Sequence, residues 1–456
     1  MREIEEYVRG LGIGAYVVGG AVRDELLGRE SKDADFLVPS VDHAQLRAAL
    51  EPHGTVEDLE VAGQRVGMRL YPRDREVRRL VPAGIEFAPP RAERSTGPGR
   101  HDFVIVADPS IPVEEDMARR DFTVNALARQ LETGELVDPF GGRTDLEDRV
   151  LRTVSPRSLA EDPLRLVRGL RLVSELGLEP DETTFAQMRE EAPSVALVAG
   201  ERIGGGLHAD GLGELSRLLL GADPGKALRL ARDTGVLTEL LPEFRAAIGH
   251  DPTSERQGDA TLDEHIFRVV QVSADAGAPL EVRLAALLHD LGKPAAEGDV
   301  RKHAELGAQI AAPVLERLRY PTRLRDYVVR LVREHAFQPE DVDALWARRF
   351  LRRHGDRLAV DLVAHKEADL RAKEVPAEEL EQIERLRRLI EQERAQPHRL
   401  GDLAIDGDDL IALGFGEGPA VGRTLAALLD AVVEDPGLND REQLTARARA
   451  LLERGA

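Results

Sequence analysis

The spacing of apolar positions changes about a third of the way along the chain. Up to about residue 148 they come in short runs: "AYVV", "DFLV", "RVGMRLY", "GIEFA", "FVIV" and "ELVDP", several bounded by Gly, Pro or Asp. Such runs predict short strands. Helical patterns fall between them over Ala21–Leu27, stopped by Gly28, and over Val41–Leu50. From about residue 149 the pattern becomes almost wholly helical. In "PLRLVRGLRLVSELGL", Leu164, Val167, Leu170, Leu172 and Val173 recur with roughly helical period. Glycine-rich "ERIGGGLHADGLGEL" (Glu201–Leu215) breaks that pattern, and "GHDPTSERQGDAT" (Gly249–Thr261) reads as a linker. A second helical block spans about 262–372, a charged helix "AEELEQIERLRRLIEQERA" follows, and the last segment opens with "GDLAIDGDDLIALGFGEGPAVG". The predicted architecture is a small α/β head followed by an all-α remainder.

Composition narrows the function classes. At 456 residues the chain can bury several cores. It has no cysteine, which excludes disulfides and thiolate metal sites. The opening "MREIEEYVRG" is charged and acidic, unlike a secretory leader, and no apolar run approaches the roughly 18 residues of a membrane span. The expectation is a cytoplasmic protein without a membrane partner. The formal net charge of −21 argues against a polyanionic partner only on average. Screening over about 8 Å makes local patches decide. Arg317–Arg333 and Arg348–Arg357 are such basic clusters, readable equally as solvated helix faces. Lysine occurs only as Lys32, Lys226, Lys293, Lys302, Lys366 and Lys373.

The stretch "YVVGGAVRDELLGRESKDADFLV" (Tyr16–Val38) is the first candidate site. A strand ending at Gly19-Gly20 and a helix starting at Ala21 would let a phosphate approach bare backbone and free N–H groups. Arg23 in the first turn adds a guanidinium. Asp33 and Asp35, two apart on a strand, would share one face and form a hard-oxygen site for a divalent cation. Farther on, "EDPLRLVRGLR" (Glu161–Arg171) places Pro163 at a helix start, with Arg165, Arg168 and Arg171 every third residue. Asp162 and Arg165, three apart, can be neighbours: a carboxylate that only accepts beside a guanidinium that only donates.

The Gly-Gly, the Val-Arg-Asp and the Asp-x-Asp together resemble the bacterial class II CCA-adding enzymes and poly(A) polymerases of the nucleotidyltransferase superfamily. The resemblance implies a small mixed sheet with flanking helices, holding two Mg²⁺ on Asp33 and Asp35. It makes Glu86 in "GIEFAPPRAE" the third catalytic carboxylate, with Arg91 and Glu93 after it; Pro89 and Pro90 depart from the family pattern. "RRDFTVNALA" (Arg119–Ala128) is similar to a second motif, putting Arg120 on the nucleotide phosphates, Asp121 near the ribose and Asn125 in support. "DPFGGRTDL" (Asp138–Leu146) matches the hinge between head and neck. In the Glu161–Arg171 motif the resemblance gives Asp162 and Arg165 the reading of the base, with Arg168 and Arg171 near the nucleotide. Their donor and acceptor groups suit the amino-beside-ring-nitrogen edge of C and A and mismatch U and G, each unsatisfied buried group costing about 1–3 kcal/mol. Glu201-Arg202-Ile203 matches a fifth motif, interrupted here by "GGGLHADGLG". The loop Arg91–Asp108 lies where the family has the loop that helps the switch from C to A.

The ordered series His265, His289-Asp290, His303, His335, Asp369 resembles the HD metal-dependent phosphohydrolase domain. Imidazole with carboxylate suits a transition metal or Mg²⁺. The resemblance assigns a divalent metal of unspecified identity to His265, His289, Asp290 and Asp369, and a second metal or the substrate phosphate to His303 and His335. The expected organisation is a nucleotidyltransferase head over 1–148, a helical neck over 149–255, an HD domain over 256–372 and a C-terminal helical tRNA-contacting region over 373–456. The implied activity is addition of CMP and AMP from CTP and ATP to a tRNA 3′ end. An A-adding enzyme or a poly(A) polymerase shares the signature, and an HD phosphohydrolase with a secondary head is the reading from another class.

Overall fold

The computed structural model describes residues 1–30, 35–61, 64–95, 103–107, 110–205, 211–251, 260–296, 299–373 and 375–454. The chain divides into two compact units, Met1–Pro242 and Glu243–Ala456.

The first unit is built on a seven-stranded sheet: β1 (Tyr16–Val18), β2 (Asp35–Leu37), β3 (Gly54–Val61), β4 (Gln64–Pro72), β5 (Ile85–Ala88), β8 (Ala128–Gln130) and β9 (Leu136–Val137). Their order is β3-β4-β5-β2-β1-β8-β9. β2 and β5 run parallel and the other neighbours antiparallel, so the sheet is mixed. β6 (Arg91–Ser95) and β7 (Phe103–Ala107) form a separate antiparallel hairpin, so the expected long loop is strand-paired at its root. The sequence pattern missed β3 because Glu57, Asp58 and Glu60 dilute its apolar alternation.

Alternation sets what each face does. Val17, Phe36, Met68, Ile85 and Phe87 enter one core with Leu46 and Leu50, which lie on a helix spanning His43–Leu50. Phe36 and Phe87 stack with ring centroids 5.5 Å apart. On the opposite face Val18 and Leu37 pack with Val113, Met117, Ala126 and Ala128. Asp35 and Glu86 alternate with the two phenylalanines and so belong to this second face.

The helices that matter for the first unit are α1 (Gly20–Leu26), α2 (Val113–Ala118), α3 (Leu164–Leu176) and α4 (Glu214–Leu220). α3 carries the expected apolar stripe: Leu164, Val167, Leu170, Leu172 and Val173 are all buried. It ends at Gly177, whose φ of 69° is the left-handed geometry a glycine supplies at a helix C-terminus. The second unit is helical among the described residues: α5 (Leu262–Asp275), α6 (Leu280–Leu288), α7 (Val300–Arg317), α8 (Thr322–Glu334), α9 (Ala344–His354), α10 (Asp356–Arg371), α11 (Ala377–Glu393) and α12 (Pro419–Glu434), with shorter helices between and after them.

The basic cluster of α9 pairs with protein partners, Arg348 from a buried position and Arg349 and Arg353 at the surface. Arg348 bonds Glu393 and the Val433 carbonyl, Arg349 and Arg352 pair with Glu434 and Asp430, and Arg353 pairs with Glu334. These arginines tie α9 to α8, α11 and α12, so their net charge is largely cancelled where they stand.

Phe87 is fully buried on the central strand pair. Phe87→Ala should destabilise the first unit by about 3–5 kcal/mol, read as a lower urea midpoint of its unfolding transition with the transition of the second unit unmoved.

Candidate nucleotide site and candidate metal centre

The strand register brings together two carboxylates far apart in sequence. Asp35 and Glu86 are direct partners across the parallel β2–β5 pair, and Arg69 is the partner of Glu86 on β4. All three side chains therefore rise from one face, and Arg69 makes an ion pair with Glu86. Asp33 lies outside the described residues.

The turn after β1 has the shape expected of a phosphate cradle. Gly19 adopts a φ of 71°, and a Cβ there would sit 2.5 Å from Arg120 Nη1. The glycine is thus required twice, by its backbone and by the guanidinium over it. Burial lowers the Arg120 pKa, and the carboxylates of Asp116, Asp121 and, least, Asp35 oppose that by favouring its charged form. Arg23 is buried at the start of α1 and donates to Asn125 Oδ1 at 2.6 Å and Asp24 Oδ1 at 2.7 Å. Asn125 in turn donates to Asp121 Oδ1 at 3.1 Å. One chain of bonds links the two motifs that the sequence placed a hundred residues apart.

Asp121 is buried, and burial alone would raise its pKa. Arg168 at 3.0 Å, the Asn125 amide and the Phe122 N–H more than offset that and hold it at about 2. Arg168 is shared with Glu214 at 3.4 Å, and Arg171 reaches Glu214 at 3.1 Å. Glu214 escaped sequence reading because it follows the glycine-rich interruption. Gly213 N donates to the Gly204 carbonyl at 2.8 Å, closing the base of that insertion and returning α4 to the site. Asp116, fully buried on α2, was also missed. It bonds Arg119 at 2.7 Å, lies 3.5 Å from Arg120, and accepts from the Arg91 N–H at the root of the β6–β7 hairpin.

Asp162 and Arg165 do not pair with each other. Asp162 Oδ2 accepts from Arg202 at 3.1 Å, and its Oδ1 accepts the Leu164 N–H at 3.1 Å. Arg165 donates to the Ser158 and Arg119 carbonyls at 2.9 and 2.7 Å. Each side chain is fixed to the scaffold and keeps hydrogen-bonding capacity, since a carboxylate offers about four lone-pair sites and a guanidinium five N–H groups. Pro163 explains the separation: the helix begins after it, which leaves Asp162 to cap that start rather than continue the helical face.

In the second unit, His265 on α5, His289-Asp290 after α6, and Asp369 on α10 converge, with one ligand atom from each within 4.8 Å of the others. His265 Nε2, His289 Nε2, Asp290 Oδ2 and Asp369 Oδ1 are buried without a hydrogen-bond partner. Two ring nitrogens and two carboxylate oxygens converging on one point are a donor set that fits a metal ion, with Lys293 Nζ and Lys373 Nζ also 2.7 Å from the two oxygens. His289 Nδ1 faces the Ala286 carbonyl at 2.8 Å, an arrangement that turns Nε2 to the centre. Asp290, His303 and His335 form an overlapping group. Asp290 presents Oδ2 to His289 at 3.0 Å and Oδ1 to His303 at 3.5 Å, the geometry of a carboxylate shared by two sites. Burial opposes ionisation of both carboxylates. His289 and Lys293 at Asp290, and Lys373 and His265 at Asp369, nonetheless hold them well below the ordinary range. His365, not anticipated from sequence, is fully buried against His289 and His335, with both ring nitrogens unpartnered.

Since the folded pKa of Asp121 lies below an unfolded value of about 4, its contribution is complete above roughly pH 4 and is lost as pH falls toward 2. That contribution is on the order of 2 kcal/mol. Urea unfolding of the first unit should weaken over this window, and Asp121→Asn should flatten the acid limb by one proton.

Three family profiles match the chain in order: the Poly A polymerase head domain over residues 15–152, a probable RNA and SrmB-binding site of polymerase A over 177–248, and the HD domain over 262–387. The multifunctional CCA protein of Xanthomonas campestris pv. campestris strain B100 is 34% identical over 438 residues, covering 90% of this chain and 96% of that protein. That of Cupriavidus necator is 34% identical over 332 residues, covering 70% and 74%. Among solved structures, the Bacillus stearothermophilus CCA-adding enzyme in complex with CTP superposes with a TM-score of 0.68 at 26% identity, covering 99% of this chain and 96% of that one. The Thermotoga maritima CCA-adding enzyme, at 20% identity and a TM-score of 0.59, shares the fold. No helix among the described residues is long and apolar enough to cross a membrane. With the paired carboxylates of the second sheet face, the glycine turn and the histidine–aspartate cluster in place, these likenesses settle the family: the chain belongs to the multifunctional CCA proteins.

Proposed function

We propose that the first unit transfers CMP and AMP from CTP and ATP to the 3′ end of tRNA, without a nucleic-acid template, in the cytoplasm. The observation that carries this reading is the register of Asp35 with Glu86 beside the Gly19 turn and Arg120. Asp33, Asp35 and Glu86 would hold two Mg²⁺, which when bound favour deprotonation of the attacking 3′ hydroxyl and stabilise the departing pyrophosphate. Gly19, Gly20 and Arg120 receive the triphosphate. Arg23 fixes Asn125, which fixes Asp121 at the ribose. Arg168 and Arg171, braced on Glu214, set the wall of the nucleotide pocket. Asp162 and Arg165, anchored to Arg202 and to backbone carbonyls, present an acceptor and a donor that C and A satisfy and U and G do not. The C-terminal helical region contacts the body of the tRNA.

The converging unpartnered ligand atoms favour a second activity in the other unit, metal-dependent hydrolysis of phosphoesters at His265, His289, Asp290 and Asp369. His303 and His335 serve a second metal or the substrate phosphate.

Purified protein should extend tRNAs lacking CCA, or ending within it, using labelled CTP and ATP, and should leave a complete CCA end unextended. Sequenced products that contain only A, or open-ended tails, would overturn the CCA assignment. Asp35→Asn should lower incorporation by on the order of 10³-fold and leave phosphodiesterase activity intact. Asp290→Ala should do the reverse. Loss of both activities in either variant would contradict the division of labour.

A further inference from the structure

The paired carboxylates of the first unit stand between two basic borders. In the strand order β4-β5-β2-β1, Glu86 and Asp35 occupy the middle strands. The Gly19 turn with Arg120 lies on the β1 side, and Arg69 lies on the β4 side. Neighbouring strands are about 4.8 Å apart, so each border is one strand away from a carboxylate. In-line phosphoryl transfer puts the attacking hydroxyl and the leaving pyrophosphate on opposite sides of the phosphorus. With the triphosphate tail at the glycine turn, the attacking strand approaches from the β4 side.

That border continues outward as a ridge. Met68 and Leu70 enter the core, which puts Arg69 and Tyr71 on the carboxylate face. β4 ends at Pro72, and β5 starts at Ile85, one residue before Glu86. The helix between them, Arg75–Leu80, therefore stands at the end of the sheet that carries the carboxylates. Val77 and Val81 pack it onto the core, while Arg75, Arg78 and Arg79 are exposed. Arg78 reaches back to the other face and sets its guanidinium 5.6 Å from the centroid of the Tyr71 ring.

The charge on this ridge is not spent. Arg73 donates to the Pro52 carbonyl at 3.0 Å, and none of Arg73, Arg75, Arg78 and Arg79 has a carboxylate partner among the described residues. Asp74 caps the helix start by accepting the Glu76 and Val77 N–H groups. Four arginines against Asp74 and Glu76 leave residues 73–80 with a net positive charge in a chain of net charge −21. The arginines of the Arg317–Arg333 cluster differ: Arg317, Arg325 and Arg333 pair with Glu243, Asp326 and Glu305. Unpaired guanidinium groups beside an aromatic ring suit the phosphates and bases of a nucleic-acid strand.

We propose that Arg75, Arg78 and Arg79, with Tyr71, form the docking ridge for the RNA strand whose 3′ end is extended. Three residues of strand separate Arg69 from Pro72, about 10 Å, so the ridge meets phosphates upstream of the terminal nucleotide. The proposal rests on the reading of the first unit as a transferase and adds the surface that receives its RNA.

A triple variant of the full chain, Arg75→Gln with Arg78→Gln and Arg79→Gln, tests it. By fluorescence anisotropy the variant should bind a tRNA lacking CCA at least about tenfold more weakly at low salt. The slope of log Kd against log salt should fall by about two, as the loss of three single-strand phosphate contacts predicts. Calorimetric affinity for CTP and the single-turnover rate at saturating RNA should equal those of the wild type. Thermal melting by circular dichroism establishes that the variant is folded. A folded triple variant with wild-type RNA affinity and salt slope would overturn the proposal, and so would one that loses CTP affinity in step with RNA affinity. A wild type that binds tRNA without extending it would instead overturn the transferase reading, and the anisotropy comparison would still decide the ridge.

Discussion

A carboxylate buried at Asp121 is the constraint on which the first unit depends. Moving such a charge out of water costs several kcal/mol unless a partner compensates it. Here the partner is Arg168, itself shared with Glu214, which also holds Arg171. The sequence of charges runs carboxylate, guanidinium, carboxylate, guanidinium, each within ion-pair distance of the next. α3 cannot slide along the head without breaking this series, so the arginine face of that helix is fixed relative to Asn125, Arg23 and the Gly19 turn. The position of the arginines of α3 follows from an electrostatic requirement as much as from the apolar stripe beneath them.

The two sites solve the burial of charge in different ways. Around Asp121 and Asp116 the carboxylates are held by guanidinium, amide and backbone N–H groups, although Arg120 Nε, Arg171 Nε and Glu214 Oε2 remain without a hydrogen bond. Around Asp290 and Asp369 several donor atoms remain unpartnered although they are buried. An arrangement of that kind fits a cation as well as the lysine and histidine groups that face it. The distinction separates a site that orients a ligand from one that fits an ion, and it does so without reference to motif names.

Much of this was legible in the sequence because the relevant chemistry is local. Gly19 announces a backbone that tolerates no Cβ, and the spacing of His265, His289-Asp290, His303, His335 and Asp369 follows the helices that carry them. The illegible part depends on tertiary register. Glu86 is the partner of Asp35 only because β5 lies parallel to β2, and intervening β3 was hidden by its acidic residues. Asp162 and Arg165 sit three apart, yet the helix start at Pro163 sends the carboxylate to Arg202. Glu214 and Asp116 carry no local signature: their importance is in what they touch. His365 reads from sequence as one more helical residue, and only the convergence of four helices shows that it closes the histidine cluster.

The division of cations follows the same logic. Sequence alone left the basic face of α9 open between scaffold and nucleic-acid contact, and the structure spends it on Glu334, Glu393, Asp430 and Glu434. A guanidinium can hold a carboxylate and a backbone carbonyl at once, as Arg348 does, which makes arginine the natural strut between helices. With those charges cancelled in place, a protein of net charge −21 meets a polyanion only through groups whose charge is not locally spent. In the first unit such groups stand along α3 and over the glycine turn, where residual N–H groups face the site. Arg385, Arg388, Arg447 and Arg449 are exposed on the C-terminal helices as well, so local positive charge meets a polyanion outside the two centres too.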